Sequence, residues 1–273
     1  MTMRRALLGL LAVVSLLLGL TAPAHAATGV PLPSSMASTG DSITRGFDAT
    51  ASGCFLSDCP QYSWSTGTDR KVKSQYRSIL AANPAISGHV YNDAKTGAKM
   101  VDLSGQLSAA ASQGVDYVTI LMGANDLCTS SAATMTSVST FTSQFDTALA
   151  AYVAARPGSR VFVSSIPNIY QLWSLLHTNF SAQATWSSFG ICQSMLSARN
   201  TAADRQKVVD QETAFNSALA SVCSKYTNCR WDNNATFNTA FTTSDVSTVD
   251  YFHPSIAGQN KLAAETWAAS YWG

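Results

Sequence analysis

Four short stretches of this chain carry residue types that could transfer an acyl group. Gly40-Asp41-Ser42 sets a serine where a short, weakly apolar segment breaks. A serine hydroxyl is a poor nucleophile until a base takes its proton, and that base needs a third group to hold its tautomer. The run Asp250-Tyr251-Phe252-His253-Pro254-Ser255 offers such a pair, an acid three residues ahead of a histidine. Thr96-Gly97-Ala98 and Gly123-Ala124-Asn125-Asp126 add a backbone N–H at a turn glycine and a side-chain amide, donors suited to a developing oxyanion. Each stretch also has an ordinary explanation: a helix-capping serine, a turn glycine, a loop asparagine, a surface histidine. His89 and His177 have no acid at a comparable offset.

Such residues can meet only if the intervening chain brings them to one edge. In an open parallel sheet, ligands bind beyond the carboxyl ends of the strands, where loops lead into helices. The sequence has the alternation such a sheet needs. Residues 116–122, DYVTILM, are a nearly continuous apolar and β-branched run, as expected of a strand buried on both faces. RVFVSSIP from Arg160 reads as a second buried strand, with shorter ones at Val90-Tyr91 and Arg230-Trp231. Between them, helical spacing of apolar residues predicts helices over 69–82, from beyond Gly97 to Gly114, over 138–153, over 200–226 and from Pro254 to Trp272. The last is expected to face inward with Ile256, Ala263, Trp267 and Tyr271. Ser42 is then expected at a helix start, where partial positive charge favours an anion, and Pro254 at the first helical position. The fold expected is α/β, a three-layer α/β/α sandwich with a central parallel sheet, flavodoxin-like in arrangement.

Residues 168–199 break the rhythm. They contain Tyr170, Trp173, Trp186 and Phe189 and are expected as an insertion or lid-like loop, or as a small satellite core.

The first 26 residues pair Arg4 and Arg5 with an apolar run to Leu20 and small residues at Ala24 and Ala26, the pattern of a secretory signal peptide. Residues 27–273 are then a single domain, about 245 residues with room for one core. Removing Arg4 and Arg5 from the 17 basic residues leaves 15 against 16 acidic, a net charge of −1 with no basic block. Nucleic acid and anionic membranes are therefore disfavoured as partners, and neither an integral membrane association nor an oligomer is expected. All six cysteines fall in the exported part, where oxidising conditions favour disulfides. Fifteen connectivities are open. The simplest pairs sequence neighbours: Cys54–Cys59, Cys128–Cys192 and Cys223–Cys229. The cysteine spacings are not those of a metal site.

Taken together, GDSIT at 40–44, Gly97, GAND at 123–126 and DYFHPS at 250–255 resemble, in order and approximate spacing, the four blocks of the SGNH hydrolases, also called the GDSL esterase/lipase family. The resemblance spans nearly all of the chain beyond residue 26, and the chain looks like a secreted, disulfide-bearing bacterial member. It departs from the family pattern at Ile43, where the family name has leucine, and at Ala124, where threonine is frequent.

The resemblance implies a serine hydrolase of carboxylic esters that needs no metal or organic cofactor. It assigns Ser42 as nucleophile, His253 as base and Asp250 as the group that orients the histidine, a task some members give to a backbone carbonyl. It assigns the oxyanion hole to Ser42, Gly97 and Asn125. Phe55, Tyr62, Trp64 and the aromatics of 168–199 suit a fatty acyl chain, which implies a lipase, phospholipase or acyl esterase. The same rings could stack on sugars in a carbohydrate acetyl esterase. A secreted binding module that kept the fold without the chemistry is the remaining, more distant alternative.

Overall fold

The structure, a computed structural model, describes residues 29–273. The signal peptide expected over residues 1–26 lies outside the described residues. In chain order the regular elements are β1 (Met36–Gly40), a distorted turn α1 (Ala51–Cys54), α2 (Gln75–Ala82), β2 (Val90–Asn92), α3 (Leu103–Gln113) and β3 (Tyr117–Leu121). A single turn α4 (Ala124–Leu127), α5 (Val138–Ala155), β4 (Arg160–Val163), α6 (Ile169–Leu176), α7 (Phe180–Phe189) and the turn α8 (Gln193–Leu196) follow. The chain ends with α9 (Ala202–Cys223), β5 (Cys229–Trp231) and α10 (Ile256–Ala269).

The five strands form one parallel sheet in the order β2-β1-β3-β4-β5. Every residue of β1 and β3 is buried, because these central strands are covered on both faces. Side chains alternate across a strand, so Tyr117 and Val118 point to opposite layers. On one side α3, α5 and α9 pack side by side, with Phe141 of α5 stacked on Phe215 of α9. On the other, the Tyr117 hydroxyl donates to Gln75 of α2 at 2.6 Å, and its ring meets Tyr271 and Trp272 beyond α10. The result is a three-layer α/β/α sandwich.

From β1 the chain passes outward to β2 and then returns to the opposite side of β1 as β3. The strand order thus reverses between β1 and β3, and a crevice opens at their carboxyl ends. Gly40 ends one strand and Gly123 follows the other.

Three local expectations are corrected. The helix expected over 69–82 starts at Gln75, because Ser74 caps it, accepting from the Arg77 N–H at 3.1 Å. Pro254 does not open α10 but precedes its cap, Ser255, and pairs as an isolated bridge with Val246. The inward face of α10 is Leu262, Ala263 and Thr266, whereas Ile256, Trp267 and Tyr271 are only partly buried.

Residues 168–199 fold as α6, α7 and α8, with Asn168 and Asn179 capping the first two. Trp186 is buried there, and its indole N–H donates to the Tyr251 carbonyl at 2.9 Å. Disulfides join Cys54 to Cys59, Cys128 to Cys192 and Cys223 to Cys229.

Candidate active site

Gly40 has φ +146°, and a Cβ there would lie 2.3 Å from the Leu121 carbonyl oxygen. Only glycine lets β1 and β3 end this close together. The chain beyond Gly40 does not open the helix expected there. Instead it coils through irregular turns over 41–49, with Arg45 N–H bonded to the Asp41 carbonyl and Phe47 N–H to that of Ser42.

Two buried glutamines clamp this turn. Gln106 of α3 accepts from the Gly40 N–H at 2.7 Å and donates to the Gly40 carbonyl at 2.9 Å. Gln259 of α10 donates to the Ile43 carbonyl at 2.7 Å and accepts from the Trp64 N–H at 2.9 Å. Neither glutamine stands out in the sequence, since polar residues within helices ordinarily face water. Ser42 is thereby held between two fixed backbone points.

The loop after residue 246 returns to the same place. His253 Nε2 lies 2.7 Å from Ser42 Oγ, and His253 Nδ1 is hydrogen-bonded to Asp250 Oδ2. The backbone N–H groups of Phe252 and His253 donate to Asp250 Oδ1 at 2.9 and 3.0 Å. The imidazole is therefore gripped by a carboxylate and not by a backbone carbonyl, one of the two arrangements the resemblance left open. Burial drives the Asp250 carboxyl up, but the hydrogen bond and charge of His253 with the two N–H donors prevail, and it titrates below the usual carboxylate range. Phe47 packs on the imidazole, and Ser247 N–H donates to the His253 carbonyl at 2.8 Å.

Gly97 and Asn125 face the same cleft as Ser42 and His253, a cavity of ≈ 540 Å³. The N–H groups of Ser42 and Gly97 donate to no protein acceptor among the described residues. The Asn125 amide donates to the Ala98 carbonyl at 3.0 Å, which leaves its second proton for a ligand. Asp126 binds the two loops together, accepting from the Met100 N–H at 2.8 Å and from Thr136 Oγ1 at 2.7 Å. Beside the cleft is a second, apolar pocket lined by Ile43, Ala124, Leu172, Leu175 and Phe241. Phe252 borders both.

Among the described residues, Asp48, Asp250 and His253 are the one group of three or more histidine, cysteine or acidic side chains close enough to share a cation. Both ring nitrogens of His253 are already engaged by Ser42 and Asp250. Asp41, wholly buried beside the serine, has its carboxyl pushed up to about 6, chiefly by burial and against the Ile43 N–H and the charge of His253. His89 and His177 stay outside this cleft.

The sequence profile of the GDSL-like lipase/acylhydrolase family matches residues 39–261. No curated protein gives a match. Among solved structures, an extracellular lipase from Streptomyces rimosus is similar at 16% identity and TM-score 0.50, over 86% of this chain and 99% of its own. Phospholipase A1 from Streptomyces albidoflavus NA297 gives the same identity, TM-score and coverage. The acetyl xylan esterase AlAXEase is 14% identical with TM-score 0.50, over 86% of this chain and 98% of its own. At these identities the structures speak for the fold, and the family rests on the profile, which takes in both the turn of Ser42 and the loop of His253. The chain belongs to the GDSL-like lipase/acylhydrolase family and is an ester hydrolase.

Proposed function

We propose that the protein is a secreted hydrolase of lipid or other acyl esters that works through an acyl-serine intermediate. The observation that carries the mechanism is the 2.7 Å approach of His253 Nε2 to Ser42 Oγ, with Asp250 on the far ring nitrogen. Ser42 Oγ attacks the ester carbonyl carbon while His253 Nε2 takes its proton. Negative charge then moves to the carbonyl oxygen, which receives hydrogen bonds from the Ser42 and Gly97 N–H groups and the Asn125 amide. As the tetrahedral species collapses, the C–O bond to the alcohol breaks and His253 returns the proton to the leaving oxygen. Water repeats the cycle on the acyl-serine, releasing the acid.

The cleft mouth favours an apolar substrate. Phe55, Leu56 and Phe189 line it and are 65, 53 and 68% exposed, an unusual clustering of large apolar side chains in water. The neighbouring pocket offers an apolar wall for an acyl chain. Export is supported by the three disulfides. No helix of the described residues is long and apolar enough to cross a membrane. One chain supplies every residue named, so a monomer suffices.

The second reading, an acetyl esterase acting on carbohydrate, uses the same aromatic rim to stack on sugar rings, and an acetyl xylan esterase shares this fold. A series of p-nitrophenyl esters from acetyl to palmitoyl, followed by phosphatidylcholine vesicles and acetylxylan, separates the two. Activity that rises with acyl length and extends to vesicles is expected. Activity confined to acetyl esters would overturn the lipid reading.

A further inference from the structure

Asp48 has no part in the mechanism above, yet it lies against the groups that do. It is on the turn that begins at Ser42, with φ +53°, and none of its surface is exposed. Three contacts fix it there. Its N–H donates to the Ser57 carbonyl at 3.2 Å, its carbonyl accepts from the Ser247 hydroxyl, and its Oδ1 accepts from the Leu56 N–H at 2.5 Å.

Its second oxygen, Oδ2, is buried and has no donor among the described residues. A buried ionised oxygen without a donor is costly, and among the described residues no lysine or arginine forms an ion pair with Asp48 to offset it. Arg45, on the same turn, is paired with Asp58 instead. The titratable groups that face Asp48 are Asp250 and His253 of the returning loop, with polar atoms of all three within 4.8 Å of one another. From the Cys54–Cys59 loop the backbone of Leu56 and Ser57 hydrogen-bonds to it.

Two carboxyl groups this close cannot both ionise cheaply, so one of them tends to keep a proton. The donors decide which. Asp250 accepts from two backbone N–H groups and from His253, whereas Asp48 accepts from one. The charge therefore resides on Asp250 and the proton on Asp48. A protonated Oδ2 would be a donor in need of an acceptor; Asp250 Oδ1 already accepts two N–H groups, but Asp250 Oδ2 has a lone pair to spare beyond His253.

We propose that Asp48 is a positioning residue of this centre: its Oδ2 carries a proton that it donates to the Asp250 carboxylate, holding that carboxylate square to His253 Nδ1. The inference rests on the reading of Ser42, His253 and Asp250 as the catalytic set. Burial and then the Asp250 charge raise the Asp48 carboxyl to about 6, so the donor is present in mildly acidic solution and is lost as the pH rises beyond that. Ionised Asp48 repels Asp250 and no longer supports it.

The test is the pH dependence of kcat and kcat/KM for the full chain and for Asp48→Asn and Asp48→Ala, on p-nitrophenyl butyrate between pH 5 and 9. An asparagine amide accepts from Leu56 and donates to Asp250 at every pH, copying the protonated acid. Asp48→Asn is expected to keep kcat within about threefold at pH 6 and to lack a several-fold decline that wild type shows as Asp48 ionises. Asp48→Ala is expected to lose about tenfold in kcat at pH 6 with KM little changed. Profiles of wild type and Asp48→Asn that superimpose throughout would overturn the inference. If Asp48→Ala does not fold, the comparison of wild type with Asp48→Asn decides alone. Fluorophosphonate labelling of wild type keeps the two readings apart: no labelling at Ser42 defeats the catalytic reading, and labelling with superimposed profiles defeats only the role of Asp48.

Discussion

His253 Nε2 stands 2.7 Å from Ser42 Oγ although 211 residues separate them in the chain. The pair closes because the turn after β1 and the loop before α10 are stitched together, Ser247 to Asp48 and Ile256 N–H to the Ala49 carbonyl. Ser42→Ala is expected to lower kcat by at least ~10⁴-fold, with KM little changed, and to abolish fluorophosphonate labelling. Intact-mass measurement of labelled wild type and variant checks it.

Asp250→Asn should fold, since the asparagine carbonyl can still accept the Phe252 and His253 N–H groups. In the proposed mechanism it cannot stabilise the imidazolium of the transition state, and its amide can favour the wrong tautomer. A loss of about 10⁴-fold in kcat is expected. Retention of more than a tenth of wild-type kcat would show that another group orients the ring.

Asn125→Ala removes one of the proposed oxyanion donors and leaves Ser42, His253 and Asp250 in place. Steady-state kinetics should show kcat down by about 10²- to 10³-fold, with a much smaller change in KM, because the donor acts on charge that develops only in the transition state.

Gln259→Leu leaves the buried Trp64 N–H without a partner and takes from the Ile43 carbonyl the shorter of its two hydrogen bonds, that from Gly46 N–H remaining. At about 1–3 kcal/mol for the orphaned N–H and about 1 kcal/mol for the lost bond to the carbonyl, unfolding free energy should fall by roughly 2–4 kcal/mol. Urea denaturation measures this. An unchanged midpoint would mean that water or a rotated side chain replaces both bonds.

Asp41 gives the fold a pH dependence of known sign. Its carboxyl titrates at about 6 when folded, above its usual value, so the folded state holds the proton more tightly than the unfolded chain. Its contribution is fully present below about pH 4 and is lost as pH rises through 6, a change of about 3 kcal/mol. Asp250 and Asp245, held below the usual range, act in the opposite sense, stabilising above their ordinary titration range and losing this as pH falls through the lowered one. The difference between wild type and Asp41→Asn isolates the Asp41 share: the variant should gain stability relative to wild type between pH 4.5 and 7.5 in urea titrations.

Residue type and order carried much of this protein's description. The β-branched run over 116–122 can hardly be anything but a central strand, and its neighbours at helical spacing imply the alternation of a parallel sheet. Ser42, Asn125 and His253 were legible because each falls in a polar block beside a glycine or proline that interrupts an apolar pattern. Asp48, Gln106 and Gln259 were not legible. A polar residue in a turn or helix looks solvated until packing shows that water has been replaced by backbone partners, as it has for both glutamines.

By itself, then, the sequence determined four of the five strands, the longer helices that alternate with them and which residues have chemistry to offer, since periodicity and side-chain type are local properties; β1 and the helices within 168–199 it did not mark. The tertiary structure alone decided that β1 lies between β2 and β3, that the loop of His253 folds back onto the turn of Ser42, and that Asp48 faces Asp250. Those outcomes depend on which distant surfaces pack together and on the charges and hydrogen bonds that packing isolates from water, a balance no short stretch of chain records.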